Sequence, residues 1–402
     1  MQRIAVVGAS LAGLSAAKGL RSEGFTGDIT VIGAEDELPY DRPPLSKRLL
    51  AGAVGPEDAM LDLDAAADAD WRLGAPATRL DALRRELWVG GAAERFDGIV
   101  IATGAAAIRP ALPGGDLAGI HVVRTLQDSV GLAADLRAAP GRVVVVGAGF
   151  IGAEVASTCR ELGLAVTVVE GLAVPMELAL GRTVGTAMAR VQRDRGVDLR
   201  LGSTVIEVRG GPRVEQVVLS DGSVLAADVV VLAVGVRPET QWLEGSGLRL
   251  DGGVVCDETG LAAPGIVAAG DVCRWPNRRT GELRRVEHWD NAIRQGRHAA
   301  RRLLHGPEVY APVPWFWSDQ FGVKLQLLGS ARDTEEFRIV IGSIEAERFV
   351  GLYRRGDRLA AAVSLNSPRP MVACRVLFDR DASWDEAVAE LAGTPMAGAG
   401  KP

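Results

Sequence analysis

The chain has 402 residues, 48% of them apolar and 24% charged, the balance of an ordinary globular protein with material for about two or three domains. Its formal net charge of −6 implies no general affinity for nucleic acid, and no apolar run reaches the roughly 18 residues of a membrane-spanning helix. Cys159, Cys256, Cys273 and Cys374 show no C-x-x-C and no ligand-like spacing with the histidines, so a disulfide framework, a metal site and a redox-active dithiol are all unsupported.

The first segment, IAVVGASLAGLSAA (Ile4 to Ala17), follows Arg3 and imitates a short signal peptide. A strand, a glycine turn and a helix explain it better, because the same pattern recurs at Val143, where no signal could sit. The chain is therefore expected in the cytoplasm. Gly8 and Gly13 supply the tight turn and the close helix–strand approach that a pyrophosphate at a helix N-terminus requires. Ser10 stands where the middle glycine of G-x-G-x-x-G belongs, which weakens the signal. The strand ITVIGAE (Ile29 to Glu35) then strengthens it, with Glu35 the candidate acceptor for an adenosine ribose hydroxyl. The alternative for Glu35 is a solvated loop acid beside Asp36 and Glu37.

In LPYDRPPLSK (Leu38 to Lys47), Pro43 and Pro44 stiffen the backbone and present Arg42 and Lys47 with little freedom. Read alone, this is equally a surface loop with two solvated cations. A loose hairpin, LWVGGAAERFD (Leu87 to Asp97), leads into the strand DGIVIATG. Thr103 and Gly104 end that strand where a ligand crevice is expected, and Arg109 follows closely.

The plan then repeats. VVVVGAGFIGAEVA (Val143 to Ala156) carries a complete fingerprint, Gly147, Gly149 and Gly152, with Ile151 inside the same turn. VTVVE closes on Glu170 at the position of a ribose-binding acid, and no basic residue follows until Arg182. A 2′-phosphate would meet a carboxylate and no cation, so NADH is favoured over NADPH. Glu154, after the turn, would point towards the crevice. Asp221-Gly222 lies between alternating apolar runs as a hairpin signal, and DVVVLAVG ends on Gly235 as its counterpart ended on Gly104. A chain that builds this unit twice is expected to hold two dinucleotides, and two side by side point to hydride transfer.

TGLAAPGIVAAGDV (Thr259 to Val272) looks like a return to the first domain, with Asp271 after a glycine. In the helix that follows, Arg294, Arg297 and Arg301 share one face, and Ile293, Ala300 and Leu304 the other. That basic face reads either as solvated or as a docking surface. From Trp315 the pattern changes to antiparallel strands, KLQLLG, FRIVIGS and Phe349 to Asn366, then a helix near Ser383 to Ala392, a separate α+β domain. The tail from Gly393 reads as mobile. His121, His288, His298 and His305 are scattered and default to structural or surface roles. Trp88 reads as a packing residue, and packing is also the plain alternative for Trp289 and Trp317.

LPYDRPPLSK, AVGVRPET (Ala233 to Thr240), the stretch ending AAGD, EHWDNAIRQG (Glu287 to Gly296) and WFWSDQFG (Trp315 to Gly322) together resemble the FAD-dependent NADH:ferredoxin reductases. That family serves Rieske-type dioxygenases and bacterial haem monooxygenases; rubredoxin reductase and the apoptosis-inducing-factor flavoproteins belong to the same broader group. The resemblance implies an α/β fold of two Rossmann-like dinucleotide-binding domains, glutathione-reductase-like, plus a C-terminal α+β domain. The expected division is residues 1–108 with 237–314 for FAD, 109–236 for NAD, and 315–402 for the C-terminal domain. It implies FAD and NADH as cofactors, and a two-iron ferredoxin, Rieske-type or plant/adrenodoxin-like, as the electron acceptor of a monomer or weak homodimer. It puts Arg42 at the FAD phosphates, Lys47 near the isoalloxazine, Asp271 on the ribityl chain, and Trp289 and Trp317 beside the ring. It also pairs Lys47 with Glu154 as the residues that act on the reactive flavin nitrogen.

Other readings on the same scaffold are an NADH oxidase, a quinone or rubredoxin reductase, or an NADH-responsive flavoprotein of the apoptosis-inducing-factor type. A peroxidase-type relative would need a cysteine near Leu45, and there is none. Fold cannot decide among them.

Overall fold

The structure, a computed structural model, describes residues 1–138, 141–279 and 281–392. Among these, seven α-helices follow in chain order: α1 (Leu11–Ser22), α2 (Leu126–Arg137), α3 (Phe150–Glu161), α4 (Glu177–Asp194), α5 (Trp289–His305), α6 (Pro370–Asp379) and α7 (Trp384–Ala392). Two compact units result. The first comprises Met1–Arg42, Pro56–Ala106 and Val236–Pro314; the second comprises Pro43–Gly55, Ala107–Gly235 and the chain from Trp315 onward.

The first unit is built on a six-stranded sheet in the order Leu261–Ala263, Ile266–Ala268, Gly98–Ile101, Arg3–Val7, Asp28–Ile32, Asp70–Arg72. All neighbours are parallel except the first pair. Side chains alternate across a strand, so Ile4 and Val6 enter one core and Ala5 and Val7 another. A parallel sheet covered on both faces needs such continuous apolar runs, which is why Ile4–Val7 resembles a signal sequence while serving as an inner strand. Helices α1 and α5 cover one face and cross closely. A Cβ on Gly296 would stand 2.4 Å from the Ala12 carbonyl oxygen, and one on Gly19 would stand 2.9 Å from Ala300 Cβ. The loose hairpin expected near Leu87 is there, Glu86–Val89 against Ala92–Arg95, turned by Gly90 and Gly91 at φ 57° and 83°.

The second unit repeats the plan with a five-stranded, wholly parallel sheet: Asp198–Leu201, Ala165–Glu170, Arg142–Val146, Val229–Leu232, Ile120–His121. The hairpin turned at Asp221-Gly222 joins Val214–Leu219 to Val224–Ala226. From Trp315 a five-stranded antiparallel sheet runs in the order Trp315–Gln320, Val323–Gly329, Arg358–Leu365, Arg348–Arg355, Glu336–Ser343. Its Leu325, Phe349 and Val363 join one core with Val155 of α3 and Val184 of α4. Arg195 reinforces the contact through a two-pronged pair with Glu347 at 2.8 and 2.6 Å and a 2.8 Å bond to the Phe321 carbonyl. Helix α4 breaks at Gly181, where φ is 71°.

Helix α7 matches the expected C-terminal helix, but α6 was not anticipated from sequence. Pro370 occupies its first turn, where the missing N–H costs nothing. The tail from Gly393 lies outside the described residues. Among the described residues no helix is long and apolar enough to cross a membrane.

Candidate functional site

In the first glycine turn, backbone crowding dictates the residues. A Cβ on Gly8 would fall 2.1 Å from the Ala102 carbonyl oxygen, and one on Gly13 would fall 1.8 Å from that of Gly8. Gly8 also takes φ 119°, outside the reach of other residues. Ser10 is the N-cap of α1, yet its side chain makes no capping bond and no acid occupies the first turn. The helix thus presents uncapped N–H groups, an arrangement that suits an anion.

Arg42 brings positive charge to the same turn. Its guanidinium donates to Glu35 at 2.7 Å and lies 3.4 Å from Ser10 Oγ. Burial works against its charge, but Tyr40, Glu35 and Asp271 more than offset this and hold the guanidinium above its ordinary value. Glu35 is therefore no solvated loop acid: one carboxylate oxygen holds Arg42 and the other accepts the Tyr40 hydroxyl. Thr103 Oγ1 donates to the Glu239 carbonyl at 2.8 Å just beyond the strand end, and Gly104 takes φ 69°. Asp271 sits in a short turn, Gly270–Val272, and the Gly270 N–H donates to Gln295 of α5 at 2.9 Å. Trp289 opens α5, and its indole N–H donates to Asp41 at 2.7 Å. Arg109 is exposed.

The second turn repeats the logic with all three glycines. A Cβ on Gly147 would lie 2.4 Å from the Ala233 carbonyl oxygen and one on Gly152 would lie 2.0 Å from that of Gly147, whereas Gly149 faces open space. Gly149 is the N-cap of α3, again without a side-chain cap or a first-turn acid, and Ile151 beside it is exposed. Glu170 serves this turn directly: it accepts the Ala148 N–H at 2.7 Å and the Leu172 N–H at 2.9 Å. Gly235 ends the matching strand at φ 109°. These donor sets fit two dinucleotides, with locked glycines beneath, uncapped helix N-termini above, a cation at the first turn and an acid at the end of the next strand.

Lys47 and Glu154 meet within the second unit, Nζ to Oε2 at 2.6 Å, with Glu154 buried. Two serines to which the sequence reading gave no role complete the cluster, Ser46 near the end of LPYDRPPLSK and Ser318 within WFWSDQFG. Ser46 Oγ lies 2.6 Å from Glu154 Oε2, and Ser318 Oγ lies 2.6 Å from Oε1. Both lie in stretches that carry the family resemblance, which marks them for attention, but no spacing rule ties a serine to a particular carboxylate. Trp317, next to Ser318, stacks on Trp315 at 5.0 Å, and Phe316 meets Phe150 of α3 at 4.2 Å.

On α5, Arg294 and Arg297 are exposed and Arg301 half-buried, while Ala300 is buried and Ile293 and Leu304 half-buried. Acids temper this face: Arg294 pairs with Asp290 at 2.9 Å and Arg301 with Glu308 at 3.4 Å. His298 is buried against the Thr259 carbonyl at 3.0 Å. Folding brings the buried, free thiols of Cys256 and Cys273 together, with their Sγ atoms 3.7 Å apart. Burial pushes the Cys273 thiol well above its usual range. Among the described residues no group of His, Cys, Asp and Glu could hold a metal ion.

Residues 2–296 match the pyridine nucleotide-disulphide oxidoreductase family, and residues 315–397 match the reductase C-terminal domain. The ferredoxin reductase component of chlorobenzene dioxygenase from Cupriavidus sp. (strain PS12) is 35% identical over 390 residues, 96% of this chain and 94% of that protein. The ferredoxin reductase for the CYP199A2 system from Rhodopseudomonas palustris superposes with a TM-score of 0.91 at 32% identity, covering 98% of this chain and all of that one. Putidaredoxin reductase, solved in a covalent complex with putidaredoxin, gives a TM-score of 0.91 at 29% identity, with 97% and 98% of the two chains covered. Two glycine turns of one design, followed by a C-terminal sheet of matching extent, make this chain a member of the pyridine nucleotide-disulphide oxidoreductase family with a reductase C-terminal domain.

Proposed function

We propose that this protein is a flavoprotein reductase that takes electrons from NADH and delivers them to a separate iron–sulfur ferredoxin feeding an oxygenase. One observation carries the reading: a single chain holds two dinucleotide turns, each with its first and third glycines locked by backbone and its helix N-terminus uncapped. The named relatives support the acceptor class: one is the ferredoxin reductase component of a dioxygenase, one a ferredoxin reductase, and one a reductase solved with putidaredoxin. When bound, FAD accepts two electrons as a hydride and gives them up singly, which is what an iron–sulfur acceptor needs.

The chain's own residues bind, orient and exclude. Gly8, Ser10, Gly13 and Arg42 hold the FAD diphosphate, with Thr103, Gly104, Arg109, Asp271, Trp289 and Trp317 around the rest of that cofactor. Gly147, Gly149, Ile151, Gly152, Glu170 and Gly235 hold NADH. Glu35 acts chiefly through Arg42, since both its oxygens are engaged. Lys47 uses two of its three N–H groups on Glu154 and the Pro43 carbonyl, leaving one for the flavin. The division is FAD-binding over 1–108 and 237–314, NAD-binding over 109–236, and a C-terminal domain from 315, in a monomer or weak homodimer.

The acceptor is a two-iron ferredoxin, docking on the arginine face of α5. The chain is acidic overall and ferredoxins are commonly acidic, so association needs a local patch of opposite sign. The test is NADH-driven reduction of a panel of two-iron ferredoxins by the FAD-loaded protein, beside ferricyanide as a small acceptor. Arg294→Glu with Arg301→Glu should slow ferredoxin reduction about tenfold at low salt and flatten its salt dependence. Ferricyanide turnover should stay near that of the unmodified protein. Fast ferricyanide reduction with no ferredoxin in the panel reduced would sink the acceptor assignment. An unchanged ferredoxin rate and salt slope in the double variant would move the docking face elsewhere.

A further inference from the structure

Glu154 is almost wholly buried, and three donors converge on its carboxylate: Lys47 Nζ and Ser46 Oγ on Oε2, and Ser318 Oγ on Oε1, each at 2.6 Å. Lys47 alone would leave Oε1 unanswered, and a buried carboxylate oxygen without a donor is costly. The serines come from distant parts of the chain. Ser46 ends the short turn Pro43–Ser46, and Ser318 lies on the edge strand Trp315–Gln320 of the C-terminal sheet.

Both serines are themselves fixed. The Ser46 carbonyl accepts Thr158 Oγ1 of α3 at 2.8 Å, and the neighbouring Leu45 carbonyl accepts Ser129 Oγ of α2 at 2.7 Å. Ser318 is completely buried, and Gln320 Nε2 lies 3.0 Å from its oxygen. A hydroxyl has one hydrogen. If Ser318 gives it to Glu154, its lone pair must accept from Gln320, which fixes the amide with its nitrogen inward. The other amide orientation would offer Ser318 a second acceptor and draw the hydrogen away from Glu154. The donors therefore run one way, from Gln320 to Ser318 to Glu154, with Lys47 on the opposite oxygen.

We propose that Ser318 and Ser46 are positioning residues for the Lys47–Glu154 pair: their hydroxyls aim the Glu154 carboxylate so that Lys47 is held with one N–H free for the flavin. The inference rests on the reading of Lys47 as the cation serving the flavin. Neither serine touches cofactor or substrate in this scheme, and each acts through Glu154. Gln320 supports the arrangement by fixing the direction of the Ser318 hydrogen.

The test is a double-mutant cycle on the FAD-loaded protein, using Ser318→Ala, Lys47→Met and the two combined. Stopped-flow reduction by NADH gives the rate and the apparent NADH affinity. Spectroelectrochemical titration gives the midpoint potential of the bound FAD, and thermal melting reports the fold. Ser318→Ala should slow reduction about tenfold, the worth of one hydrogen bond to a charged group, with NADH affinity kept and the potential moved negative. In the Lys47→Met background the same change should add less than about twofold, because its route through Lys47 is already cut. Multiplying effects, or a Ser318→Ala variant with native rate and native potential, would overturn the inference. A native rate in Lys47→Met would instead overturn the reading on which it rests, so the two failures are distinguishable. Should Ser318→Ala melt before measurement, Ser46→Ala takes its place in the cycle, with the same outcomes decisive.

Discussion

Removing Glu170 should do more than change coenzyme preference. Its carboxylate accepts the Ala148 N–H inside the second glycine turn at 2.7 Å and the Leu172 N–H after the strand at 2.9 Å. A backbone bond to a charged group is worth about 1.5–3 kcal/mol, and the Leu172 bond is exposed, so the pair together contributes about 3 kcal/mol to holding this turn. Glu170→Ala forfeits both bonds and should weaken NADH by up to about 100-fold, since the loosened turn must be re-formed on binding. Glu170→Gln keeps one carbonyl oxygen for one of the two N–H groups and loses the charge. It should weaken NADH only about tenfold while sparing NADPH, because a carboxylate no longer faces the 2′-phosphate. The assay is flavin reduction by each coenzyme in stopped flow, with kcat/KM from the steady state. Equal efficiency with NADPH in the unmodified protein would refute coenzyme selection by this carboxylate. Undiminished NADH affinity in Glu170→Ala would refute its part in fixing the turn.

Gly152→Ala places a Cβ 2.0 Å from the Gly147 carbonyl oxygen and 3.3 Å from Ala233 Cβ, neither of which belongs to a flexible side chain that could swing aside. The variant should lose NADH-driven flavin reduction while dithionite still bleaches its FAD; NADH turnover at the native rate would contradict the crowding. His298 gives a pH prediction. Burial pushes its imidazole below the ordinary value, and its Nε2–H donates to the Thr259 carbonyl. The unfolded chain then binds the proton more readily than the folded one, so His298 contributes full stability above about pH 6.5 and loses it as pH falls towards the lowered folded value. His298→Gln should flatten that part of the melting profile, and an unaltered profile would exclude His298 as its source. Arg195→Ala and Glu347→Ala should each lower the melting temperature by several degrees, with a coupling of about 1 kcal/mol in their cycle, because the two-pronged pair is only partly exposed. Strict additivity would mean that the ion pair contributes nothing.

The repeated local patterns were legible in the sequence because each follows from short-range necessity. Gly8, Gly13, Gly147 and Gly152 are glycines because a neighbouring carbonyl occupies the place of a Cβ, and such crowding lies within a few residues or one strand pairing. Continuous apolar runs at Ile4–Val7 and Val143–Val146 mark strands covered on both faces, and Asp221-Gly222 marks a hairpin. Tertiary structure decided which polar side chains meet. Glu35 turned to Arg42 and Tyr40, Cys256 came to Cys273 despite their unremarkable spacing, and acids reached two of the three arginines on the basic face of α5. Ser46, Glu154 and Ser318 are far apart in the chain and have no common motif, so only folding could gather them round one carboxylate. The physical reason is one of range. Backbone crowding and hydrophobic period act locally and leave their mark in sequence, whereas partners for buried charge are recruited across the fold from residues that are individually ordinary.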